Sequence, residues 1–155
     1  MDSIVVAEET ALSVVRKILL VILVLGVLGS GTELVLLKHT EDALQWIPLM
    51  LIAVSIIVLG WHVLHSGQLS IRAIRGLMIA FIAAGVAGIY FHFQGSAEFK
   101  LESNPSLRGM ALFWEAICGK TPPLLAPGSM IQLGLLGLAY TYKHPALIRA
   151  NEKGE

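Results

Sequence analysis

Residues 18–37 read ILLVILVLGVLGSGTELVLL, and the reading of this stretch decides the fold. Arg16 and Lys17 precede it and Lys38 follows it, so charge brackets an almost unbroken apolar run. At about 1.5 Å per residue, a helix of this length covers roughly 30 Å, the thickness of a bilayer's hydrocarbon core. Apolar and polar residues do not alternate, and the run is about twice as long as a barrel strand. A helix satisfies every backbone group within its own segment, so it is the spanning element that fits. The basic pair, the apolar run and Gly29-Ser30-Gly31 also trace the outline of a signal peptide. Two features favour a retained span instead. The apolar run resumes after Glu33, and Asp2, Glu8 and Glu9 lie ahead of the basic pair.

Three more runs share this character: WIPLMLIAVSIIVLGWHVL at 46–64, IRGLMIAFIAAGVAGIYFHF at 74–93 and LLAPGSMIQLGLLGLAYTY at 124–142. The expected fold is all-α: an integral membrane four-helix bundle, in one transmembrane domain covering residues 1–155. Composition agrees. The chain is 55% hydrophobic and only 14% charged, with mean hydropathy +0.75, whereas soluble domains carry about 25% charged residues. Basic and acidic residues balance at 11 each, and no basic patch with interleaved aromatics suggests nucleic acid. Cys118 is the single cysteine, which rules out an internal disulfide.

Orientation follows from Lys and Arg near the span ends. With the N-terminus inside, Arg16, Lys17, Arg72, Arg75, Lys143, Arg149 and Lys153 lie inside; Lys38, Lys100, Arg108 and Lys120 lie outside. This favours cytoplasmic termini in a plasma (inner) membrane. The third connection, 94–123, is long enough to hold structure of its own. A helix over 105–118 is expected there, with Asn104 as N-cap, Pro105 in the first position and Gly119 as the stop. Leu107, Met110, Ala111, Trp114, Ile117 and Cys118 share one face and Arg108 and Glu115 the other, as in a helix lying in the membrane interface.

Glu33 is the unexpected residue, placed before its apolar run is over. It lies 16 residues beyond Lys17, about 24 Å along a helix and so in the outer leaflet. Counting from Arg75 and Lys143 brings Tyr90 and His92 to a similar depth, with Gln132 and Ser55 nearer the midplane. Glu33, Tyr90, His92, Gln132 and Ser55 therefore form the candidate polar cluster. A carboxylate inside a membrane must face the bundle interior, pair, or be protonated. His39, His92, Glu98 and Glu115 are weak candidates for a metal on the outer face, without any spacing that supports one. His62 and His65 share one helix face near the inner end and read as interfacial histidines. No cofactor is implied, and no nucleophile–base pair or phosphate loop suggests an enzyme.

Small residues mark helix packing. Ala80, Ala84 and Gly88 repeat on the third run, Gly26, Gly29 and Gly31 line the first, and Gly134 and Gly137 the fourth. Pro127-Gly128 is expected to break the outer end of the fourth helix. Two functions fit. The first is a non-enzymatic accessory or structural subunit that packs in the lipid bilayer with other membrane protein chains or with itself. The alternative is an oligomeric proton-coupled small-molecule transporter or channel, with Glu33 as the titrating group.

Overall fold

The computed structural model describes residues 2–40, 42–118 and 125–151, with side-chain surroundings for 10–40, 42–118 and 125–148. They form α1 (Asp2–Leu36), α2 (Trp46–Leu64), α3 (Gln68–Ser103), α4 (Gly109–Ile117), α5 (Leu125–Thr141) and α6 (Pro145–Asn151). A 3-10 turn, Ala43–Gln45, leads into α2, and no strand occurs among the described residues. Three helical stretches, Thr10–Leu36, Ala43–Leu64 and Gln68–Ser103, are long and apolar enough to cross a membrane.

The helices do not stop where the apolar runs stop. α1 begins at Asp2 and passes unbroken through Gly29-Ser30-Gly31. α3 extends 36 residues, about 54 Å, well beyond a hydrocarbon core. Its polar ends carry Gln, Glu, Lys and Ala, which are good helix formers in water. Hydropathy marks where lipid begins, and propensity decides where the helix ends.

Two expected boundaries differ. Asn104 closes α3 rather than opening α4, and its side-chain oxygen accepts from the Ser106 hydroxyl at 2.6 Å. Pro105 lies in the turn between them, and α4 starts only at Gly109. Pro127 does not break the fourth apolar run either. It sits in the first turn of α5, where a missing N–H leaves no bond unmade. The expected stop at Gly119 lies outside the described residues.

α3 packs most extensively on α5 and also lies against α2, while α1 lies against α5 and α2. Each of these four helices thus touches two of the other three, α3 also meets α4 and α6, and neither α1 and α3 nor α2 and α5 approach closely. Leu23 and Val27 of α1, Ile52 and Leu59 of α2, Met78 and Phe81 of α3, and Met130 and Leu133 of α5 fill the middle. The outer surface is as apolar as this core: Leu25 is 63% exposed, Ile57 71%, Ile79 56% and Leu135 57%. Exposing apolar area to water costs about 25 cal/mol per Å², whereas lipid tails solvate it freely. The pattern therefore belongs to a protein whose solvent is lipid.

The closest helix approach is between α3 and α5. A Cβ added at Gly134 would lie 2.7 Å from the Met78 carbonyl oxygen, and one at Gly85 2.7 Å from the Pro127 carbonyl oxygen. Gly137 faces the Met78 side chain and Gly88 the Pro127 ring, while Gly26 faces Leu133 and Gly31 faces Ile52. Ala80 and Ala84 are half-buried. Gly29 meets nothing within 4 Å.

Candidate functional site

The first turn beyond α1 builds one wall of a recess. The Leu37 N–H donates to the Glu33 carbonyl at 2.9 Å and the His39 N–H to the Leu34 carbonyl at 3.0 Å. Lys38 between them adopts a left-handed backbone, φ 51°, the conformation that commonly ends a helix and is usually given to glycine. This turn folds His39 back toward α3. There its ring stacks on His92, with centroids 6.1 Å apart and planes 16° from parallel.

Beneath the stacked rings lies a cavity of about 420 Å³ between α1, α2, α3 and α5. Its polar lining is Ser30 and Glu33 from α1, His39, Asp42 and Gln45 from the turn, His92, Gln94 and Glu98 from α3, and Ser129 from α5. Its apolar lining includes Leu34, Ile47, Ile52, Phe91 and Met130. Pro48 and Pro127, each near the start of its helix, complete the rim with Gly88 and Ala126. The carboxylates come from three separate elements, and no Lys or Arg lines the described cavity. Lys100, a base on the α3 extension, is paired with Glu115 of α4 at 3.0 Å. The Gln94 amide donates to Glu98 at 3.2 Å.

Of the sequence-derived polar cluster, Glu33 and His92 meet in this cavity. Tyr90 is 62% exposed and packs edge-on against Phe91. Two residues along a helix is about 200° of rotation, so Tyr90 and His92 cannot face the same space. Gln132 is exposed and outside the lining. Ser55 is fully buried one turn below Ile52, with no hydrogen-bond partner for its hydroxyl. His39 and Glu98 join His92 in the cavity while Glu115 does not. Among the described residues, no three His, Cys, Asp or Glu side chains converge into a metal-holding group. Asp42, just ahead of the 3-10 turn that leads into α2, also belongs to the lining.

The opposite end of the helices holds a second polar centre. His62 is buried on α2, with Nδ1 2.7 Å from the Ser70 hydroxyl and Nε2 2.6 Å from the Tyr140 hydroxyl. The Gly67 N–H donates to Ser70 Oγ at 3.1 Å, and that hydroxyl donates to the Gly67 carbonyl at 2.9 Å. One assignment satisfies every group: His62 Nδ1–H donates to Ser70, and Tyr140 donates to Nε2. His144 flanks the pair, its ring 5.5 Å from Tyr140 and 6.1 Å from His62. The guanidinium of Arg75 donates to the Thr141 carbonyl at 3.0 Å and that of Arg16 to the Lys143 carbonyl at 3.1 Å. These bonds satisfy carbonyls that the end of α5 leaves open. From the sequence His62 reads as an interfacial histidine, with nothing joining it to Tyr140. The signal that could have found them was the spacing Gly134, Gly137, Tyr140, which puts the tyrosine on the packed face of α5.

Comparison with protein-family models, with curated proteins and with solved structures finds no match for this chain.

Proposed function

We propose that the protein is a small multi-pass membrane carrier that admits a small molecule into the cavity beside Glu33 and exchanges it for a proton on that carboxylate. The observation that supports this is Glu33 itself. It is exposed in the wall of a cavity of about 420 Å³, a volume in the range of small-molecule sites. A purely structural subunit would hold such a carboxylate hydrogen-bonded in a dry interior.

In this reading α5 is a fourth span. Its 17 residues make about 25 Å of helix, enough to cross with slight local thinning of the bilayer. α4 lies in the interface, with Met110, Phe113 and Trp114 exposed to headgroups and Ala116 buried. Both termini are cytoplasmic, in a plasma (inner) membrane, and the cavity faces out. Four short helices enclose little space, so the working form is an oligomer. No chemical conversion is assigned to it.

Two-sided labelling tests the reading without knowledge of the cargo. With Cys118→Ser as background and Glu33 left in place, Ser129→Cys in the cavity wall is exposed to an impermeant maleimide in sealed vesicles of each orientation. A carrier is labelled rapidly from the cavity side and more slowly from the other. Labelling from one side only contradicts carriage, and no labelling contradicts the cavity.

A further inference from the structure

We infer that the cavity selects an organic cation with an apolar body, in preference to an anion, a neutral molecule or a bare metal ion. The inference rests on the small-molecule reading above and specifies the ligand's class. Glu33, Asp42 and Glu98 reach the cavity from α1, the turn and α3, and α5 contributes only Ala126, Pro127, Ser129 and Met130. No described Lys or Arg enters the lining to balance the three carboxylates. Lys100 is held by Glu115, and Lys38, although next to His39, is outside the lining.

Carboxylates along a cleft with low-dielectric walls give it a negative potential, which favours a cation over an anion. The class of cation follows from two further facts. A metal ion needs several oxygen or nitrogen ligands converging at roughly 2.0–2.6 Å, and the described side chains form no such group. A diffuse organic charge requires only nearby carboxylates. Much of the remaining wall is apolar, with Ile47, Ile52, Met130 and the aromatic ring of Phe91 beside the polar side chains of Ser30, His39, Gln45, His92, Gln94 and Ser129. Aromatic faces attract organic cations as well as apolar groups. Carboxylates set among apolar and aromatic side chains describe the complement of a lipophilic ammonium or phosphonium.

Isosteric ions of opposite sign test this directly. The purified full-length protein is placed in nanodiscs of zwitterionic lipid and titrated with tetraphenylphosphonium or tetraphenylborate, with empty nanodiscs as the reference. Expected is saturable tetraphenylphosphonium binding, at least about tenfold weaker in Glu33→Gln and in Asp42→Asn. Tetraphenylborate is expected to bind neither saturably nor competitively. Ala87→Trp, which fills the cavity from α3, is expected to abolish the saturable phase. If the two ions bind equally, or if both carboxylate variants bind the phosphonium as the unaltered protein does, the cation assignment falls while a small-molecule cavity stands. If neither ion binds saturably, the small-molecule reading falls with it.

Discussion

The imidazole of His62 on α2 and the hydroxyl of Tyr140 on α5 meet at 2.6 Å, across the diagonal of a ring of helices in which α2 and α5 otherwise do not approach. The bond spans the interior just where Ser70, Arg75 and Arg16 tie the neighbouring chain ends together. It closes the end opposite the Glu33 cavity.

Removing that link should loosen the closed end. Tyr140→Phe leaves the Nε2 acceptor of His62 unpartnered in a buried place, and a stability loss of about 1–2 kcal/mol is expected. Interhelical hydrogen bonds in membrane proteins average about 0.6 kcal/mol in double-mutant cycles, with a maximum near 1.7. A cycle of His62→Phe and Tyr140→Phe, read by reversible unfolding in detergent, should return a coupling in that range. A coupling of zero would show the bond to be incidental.

Glycine substitutions should separate three environments. At Gly134 an added methyl meets the Met78 backbone, which cannot move aside, so Gly134→Ala should cost about 2 kcal/mol or more. At Gly137 it meets the flexible Met78 side chain, and the loss should be smaller. At Gly29 it meets nothing, so Gly29→Ala should stabilise by up to about 1 kcal/mol through helix propensity. Thermal unfolding of the three variants gives the order, and equal effects would contradict the α3–α5 packing.

Acid should weaken the fold at the His144 end. Burial chiefly, then the charges of His62 and Arg16, hold the His144 imidazole below its ordinary value of 6.5. The unfolded chain therefore binds this proton more readily than the folded one. The contribution to stability is complete above about pH 6.5 and is lost as pH falls toward and through the lowered value. Unfolding measured from pH 7.5 to 5 should show this slope, and His144→Gln should flatten it. An unchanged slope in the variant would assign the effect elsewhere.

Lys38 should tolerate glycine. Its left-handed backbone is strained for an L-residue, so Lys38→Gly should raise stability by about 0.5–1 kcal/mol, offset in part by chain entropy. The stacking of His39 on His92 depends on that turn, so ligand binding in the cavity should survive Lys38→Gly. Loss of binding would mean that the lysine side chain itself shapes the recess.

What could be read from sequence was governed by solvent. Apolar runs located the lipid-crossing parts of α1, α2 and α3, because long hydrophobic stretches have one stable conformation in a bilayer. Depth along the helix was equally legible, and it placed Glu33 and His92 at one level. Rotation about the helix was not. Tyr90 lies on the side of α3 away from the cavity, and Gln132 lies off the packed face of α5. In a chain apolar all round, hydrophobic periodicity does not distinguish inside from outside. The turn that carries His39 and Asp42 into the site depends on a left-handed lysine, for which sequence carries no signal.

We expect a helical assembly bathed in lipid, with a water-accessible recess at its Glu33 end. Spin labels at Leu25→Cys, Ile57→Cys, Ile79→Cys and Ser129→Cys, each on Cys118→Ser in nanodiscs, test it most directly through collisions with oxygen and with a water-soluble nickel chelate. The first three should show high oxygen and low nickel collision rates, and position 129 the reverse. Nickel access at positions 25, 57 and 79, or its exclusion from position 129, would contradict the account.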